Sequence, residues 1–239
     1  MKAIAALIFI TLISTAYADS FLFVPGVMKD DETVKLVENT GRNMTLVFNE
    51  SGHTLIMSQY NQGHITNESL EICSDRVWKE IETIKPDYAI GYSAGGVILR
   101  HLVEYHHVNI SIIMLESVNG GVPLIADLVQ GFNPFLKYNQ DLWPDSDFMA
   151  TIKINETKIY PYPEIRGKNS LELYNFSILG FPYQAIRDVF RQLPGAKQLI
   201  YPEADHIALA TNETIVRREI ADLTPILFPT FFKRAIRFP

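Results

Sequence analysis

Residues 88–96 read Tyr-Ala-Ile-Gly-Tyr-Ser-Ala-Gly-Gly, and they narrow the fold more than any other stretch of the chain. An apolar run, Tyr88–Gly91, enters the motif and a helical pattern, Gly95–His107, leaves it. Ser93 therefore stands in a G-x-S-x-G turn between a strand and a helix, a tight bend that exposes the serine. Gly91 and Gly95 must be small because such a bend brings the strand and helix backbones together. The helix start behind Ser93 offers amide donors and positive potential to an oxyanion. With 13 glycines in 239 residues, composition alone predicts only about 0.03 such motifs.

The rest of the chain alternates strand and helix signals. Strands are expected at Phe21–Val24, Thr45–Phe48, Tyr88–Gly91, Asn109–Leu115, Phe176–Leu179 and Gln198–Tyr201, and a helix at Asp30–Asn39. Leu70, Cys73, Val77, Ile81 and Ile84 recur at intervals of three and four, one apolar stripe of a further helix that Pro86 ends. This alternation predicts an α/β fold, a mainly parallel sheet with helices on both faces. Length favours a single domain. The stretch 120–170 breaks the rhythm with Pro123, Pro134, Pro144, Pro161 and Pro163 and reads either as a lid-like insertion or as a rigid irregular surface segment. The only cysteine, Cys73, can close no internal disulfide and build no metal motif, so no metal or cofactor is expected. A net charge of −6 argues against nucleic acid as a partner.

Lys2, an apolar run to Ser14 and Ala16-Tyr17-Ala18 read as a cleavable secretory leader, residues 1–18, with the mature domain at 19–239. The run is short for a membrane span. Seven N-x-S/T sequons follow, at Asn43, Asn49, Asn67, Asn109, Asn155, Asn175 and Asn212, against about 1.4 expected from composition. Both features point to an exported chain. Asn109 and Asn175 fall at the starts of expected buried strands, where a glycan would fit poorly.

At these residues the sequence resembles the α/β-hydrolase fold, in particular small secreted lipases and esterases. Phe21-Leu22-Phe23-Val24-Pro25-Gly26-Val27 looks like their first core strand and its His-Gly turn, with Pro25 in place of the His. Ser117-Val118-Asn119-Gly120-Gly121-Val122-Pro123-Leu124 through Leu128 looks like their T-P-H-R-G-T-P-L-A-D-L segment. Asp141 through Phe148 is similar to the L-x-P-x-S-x-F that follows. Leu193 through Leu209 resembles their last strand and histidine loop. The resemblance implies a secreted ester hydrolase with Ser93 as nucleophile, His206 as base, and the backbone amides of Val27 and Ala94 as oxyanion donors. A thioesterase or acyltransferase would use the same groups, and a catalytically silent binding protein could keep the fold.

The acid of the triad is where the sequence departs from that pattern. No carboxylate follows Phe176–Leu179 at the usual place. Asp188 comes late, and Asp205 adjoins the histidine. Glu116 ends the strand after the serine strand, where pancreatic-type lipases carry their acid. It serves as that acid or merely caps a strand end. His101, His106 and His107 are expected on a helix surface, since their spacing matches no metal motif. The substrate is expected to be a small-molecule or lipid ester, with transient contact to a lipid surface open to the aromatic and basic tail, 230–239.

Overall fold

The computed structural model describes residues 19–26, 31–60, 68–122, 124, 135–168 and 189–227. Residues 1–18, expected to be a leader, Val27, Asn67, Asn175, Phe176–Leu179, Asp188 and the tail lie outside the described residues.

Side chains of a strand alternate between faces, and here both faces are apolar. In β1 (Ser20–Val24) Leu22 and Val24 join one buried cluster, while Phe21 and Phe23 join another. That pattern demands cover on both sides of a sheet, and the sheet has it. Among the described residues six parallel strands lie in the order β2-β1-β3-β4-β5-β6, with β2 at Thr54–Met57, β3 at Tyr88–Tyr92, β4 at Ser111–Leu115, β5 at Glu164–Gly167 and β6 at Gln198–Tyr201. All five pairings are parallel.

On the face of Leu22 and Val24 pack α2 (Leu70–Ile84) and α3 (Ala94–Arg100). The α2 stripe is buried as the spacing predicts at Leu70, Cys73, Val77 and Ile81. Ser69 caps its start, accepting the Ile72 N–H, and Lys85 closes it in the left-handed region ahead of Pro86. On the other face pack α1 (Asp31–Glu50) and, after the short α6 (Ala208–Thr211), the long α7 (Glu213–Leu227).

Three expectations need correction. Thr45–Phe48 is not a strand but the last part of α1: Gly41, Met44, Val47 and Phe48 are buried at helical spacing, and Gly41 lies against Met57 of β2. A four-residue apolar run cannot by itself distinguish strand from buried helix. The stretch 120–170 is not wholly an insertion, because Glu164–Gly167 is a core strand between β4 and β6. Its described remainder carries α4 (Lys137–Asp141) and α5 (Asp147–Thr151) and buries Tyr138, Leu142, Phe148, Met149, Ile152 and Tyr160 against α2 and α3. Arg100, fully buried, ties it down by donating to the Ile152 carbonyl at 2.7 Å while pairing with Glu104. Finally, β4 begins at Ser111, so Asn109 sits exposed in the preceding loop.

Candidate active site

β3 ends at Tyr92, and Ser93 follows with φ 56° and ψ −121°, a conformation that costs a non-glycine residue about 1–3 kcal/mol. The surroundings hold it there. Its N–H donates to the Leu115 carbonyl of β4 at 3.1 Å, and its carbonyl accepts from the Gly96 N–H at 3.2 Å. The glycines of the motif are sterically required. A Cβ on Gly91 would lie 2.5 Å from Gly96 Cα, and one on Gly95 would lie 2.0 Å from the Val24 carbonyl oxygen. Strand β1 thus runs against the helix start, and Gly26 faces the serine so closely that a Cβ there would meet Ser93 Oγ at 3.1 Å.

Glu116 leaves β4 with φ 40°, one position beyond the registered pair Tyr92 and Leu115. Its side chain is fully buried. Oε2 contacts Nδ1 of His206 at 2.9 Å, and Oε1 accepts the Gly167 N–H at 3.2 Å. An ionised carboxylate can only accept, so with Glu116 ionised this contact requires the proton on Nδ1. Nε2 is then the nitrogen open to another group's proton. The His206 loop reaches this place because Gly167 gives it room: a Cβ there would lie 2.5 Å from the Ala204 carbonyl oxygen.

No family model and no curated protein sequence matches the chain. Solved structures do. MGS-MChE2, an α/β hydrolase from the metagenome of lagoon sediments of Mar Chica, Morocco, is similar at a TM-score of 0.54 and 14% identity, over 87% of this chain and 91% of that one. A monoacylglycerol lipase of Paleococcus ferrophilus is similar at 0.53 and 13%, over 87% and 93%. A bromoperoxidase of Bacillus anthracis is similar at 0.53 and 10%, over 86% and 91%. The chain has the α/β-hydrolase fold.

Within that fold the residues singled out in the sequence fall as follows. Ser93, Ala94, Glu116 and His206 all lie at the carboxyl ends of β3, β4 and β6 or in the loops that leave them. Ala94 opens α3 and is buried, so its amide is among those at the helix start that have no acceptor within the helix. Asp205, exposed, caps α6 by accepting the Ala208 N–H at 2.7 Å. Asp188 and Val27 lie outside the described residues. His101 is not a surface residue: it is buried on a π-helical turn, His101–Tyr105, against Phe148 and His106. Burial and the neighbouring His106 push its pKa down to about 4. Among the described residues no group of three His, Cys, Asp or Glu side chains could hold a metal ion.

Two supporting features escaped the sequence. Tyr60, fully buried, donates to the Pro25 carbonyl at 2.9 Å and meets the Tyr138 hydroxyl at 3.1 Å, so the turn after β1 is pinned from the α4 side. Isolated tyrosines carry no pattern that announces this. Glu219 is buried on α7, its Oε1 has no hydrogen-bond partner among the described residues, and desolvation with the nearby Glu116 charge raises its pKa well above the ordinary carboxylate value. That residue was findable, because it interrupts the apolar stripe Ile215, Val216, Ile220 and Leu223.

Proposed function

We propose that the chain is a serine hydrolase that cleaves carboxylic esters through an acyl-enzyme on Ser93. The carrying observation is the 2.9 Å contact between buried Glu116 and His206, made at the strand end next to the Ser93 turn. The fold alone does not choose the chemistry, since a bromoperoxidase shares it, and the reading rests on the site.

The chemistry follows from the groups present. His206 Nε2 takes the Ser93 proton as Oγ attacks the ester carbonyl carbon. Glu116 holds the imidazole in the Nδ1–H tautomer and stabilises the imidazolium as it forms. The oxyanion is assigned to the amide of Ala94 at the start of α3; the second donor expected from the sequence, Val27, lies outside the described residues. On collapse the C–O bond breaks and the alcohol leaves with the proton from Nε2. Water repeats the sequence and releases the acid. Two neighbours of this fold are described as a lipolytic enzyme and as a monoacylglycerol lipase, which supports an ester rather than a thioester substrate.

The proposal includes membership of the small secreted lipases and an exported location. Asn43, Asn49, Asn109, Asn155 and Asn212, the sequon asparagines among the described residues, are all exposed, as glycan acceptors must be. Ser93→Ala tests the function directly. Hydrolysis of short p-nitrophenyl esters is expected to fall by at least about a thousandfold with the fold intact. Near-normal turnover in the purified variant would remove the serine from the reaction. Thioester and alcohol-acceptor substrates, offered in parallel, separate hydrolysis of esters from thioesterase or acyltransferase activity.

A further inference from the structure

His206 sits on a loop, and a loop is a poor platform for a base that must meet a proton within a few tenths of an ångström. Glu116 fixes one nitrogen of its ring. What fixes the plane of the ring and the backbone beneath it is the residue before the nucleophile. The Tyr92 ring stacks on the imidazole, with centroids 4.7 Å apart and planes 24° apart. Its hydroxyl donates to the His206 main-chain carbonyl at 2.8 Å. The same ring stacks on Phe23 of β1 at 6.2 Å, and Phe190 meets the imidazole at 5.4 Å on a tilt of 51°.

We propose that Tyr92 is a positioning residue that locks the His206 loop to the serine turn. The inference rests on the serine-hydrolase reading above and deepens it. Tyr92 is covalently joined to Ser93 and is registered against Leu115, the residue before Glu116. One side chain therefore refers the base to the same two strand ends that carry the nucleophile and the acid. Two independent contacts make the reference rigid: the ring sets the imidazole plane, and the hydroxyl sets the backbone from which the imidazole hangs. The phenol is suited to a permanent donor role. Burial, with the Glu116 and Asp205 charges nearby, raises its pKa, so it keeps its proton at any working pH. Stacking also places an electron-rich face against the imidazolium that forms during proton transfer. A residue chosen for packing alone would need the ring but not the hydroxyl.

The two contacts separate in two variants. Tyr92→Phe keeps the ring and loses the anchor to the carbonyl; Tyr92→Leu loses both. For p-nitrophenyl butyrate, Tyr92→Phe is expected to lower kcat about tenfold and Tyr92→Leu about a hundredfold or more, with KM within about twofold in each. The rate of Ser93 labelling by a fluorophosphonate should fall in the same order, because labelling needs the same base. Restoration of part of the activity by Phe relative to Leu is the graded signature of the ring. A folded Tyr92→Leu with wild-type kcat overturns the proposal. Should Tyr92→Leu not fold, Tyr92→Phe decides alone, and wild-type kcat there overturns the anchoring role. Failure of the underlying reading looks different: Ser93→Ala and His206→Ala would then remain active, whereas failure of this inference leaves those two dead and both Tyr92 variants normal.

Discussion

Glu116→Gln isolates the charge of the proposed acid from its shape. The side chain is fully buried, with one oxygen on His206 Nδ1 and the other on the Gly167 amide. Glutamine fills the same space but owns a single oxygen. If that oxygen stays on Gly167, an NH2 group faces Nδ1, and the imidazole must turn its lone pair toward it and carry its proton on Nε2. That is the wrong tautomer for accepting from Ser93. If the oxygen stays on His206, the amide clashes in hydrogen-bond sense with the Gly167 N–H, and no negative charge meets the imidazolium. Either outcome is expected to lower kcat by about 10³–10⁴-fold, or about 4–5.5 kcal/mol of transition-state stabilisation, with little change in KM. Stability should change by no more than about 1–3 kcal/mol, the scale of one mispaired buried group. The assay is steady-state ester hydrolysis beside thermal unfolding, with Asp205→Asn as the control that should keep its rate. A Glu116→Gln enzyme retaining more than about a tenth of wild-type kcat would refute the assignment of the acid. A collapse of Asp205→Asn instead would relocate it.

Three further outcomes follow from the same geometry. Gly95→Ala drives a methyl into the backbone of β1, 2.0 Å from the Val24 oxygen, and should cost about 3 kcal/mol or more, lowering Tm by roughly 6–12 °C; an unchanged Tm would show that β1 can retreat from the helix. His101 is buried neutral with its pKa depressed to about 4, so the stability its neutral form contributes is present above pH ~6.5 and is lost as pH falls toward 4, by about 3 kcal/mol in all. His101→Phe should flatten the Tm-against-pH curve across that window, and an unaltered slope would assign the effect elsewhere. Enzymatic removal of N-glycans from protein secreted by a eukaryotic host should leave aspartate, about 1 Da heavier, at Asn155 and Asn109, both exposed; unmodified asparagine at every sequon would count against the glycosylating route.

How far the sequence reached can be judged residue by residue. The serine turn was legible because the motif is short and its first requirement is local: glycine at 91 follows from a clash with Gly96 inside the turn, whereas glycine at 95 answers to the backbone of β1. The α2 stripe was legible because a helix on a sheet needs a periodic face. Glu116 was legible as a candidate because it ends a recognisable apolar strand, yet its pairing with His206 spans 90 residues and depends on register, which no local pattern encodes. The strands failed where periodicity is short. Thr45–Phe48 has the composition of a strand and lies in α1, while Glu164–Gly167 is a core strand with two charged residues. Glu164 is tolerated there because Asn119, Leu193 and Gln198 all donate to it, with burial raising its pKa, a tertiary solution invisible in four letters. His101 was misplaced because it continues a helix buried all round: every residue of Ala94–Arg100 is buried, so there is no solvent face for it to share.

The proposed chemistry rests on one serine made nucleophilic by one histidine. Its most direct test is treatment of the folded protein with a fluorophosphonate, followed by peptide mapping of the adduct. A single phosphonylated peptide, modified at Ser93, is predicted, with labelling lost in His206→Ala and slowed in Glu116→Gln. Folded wild-type protein that takes up no label, or takes it up at another serine, would contradict the account.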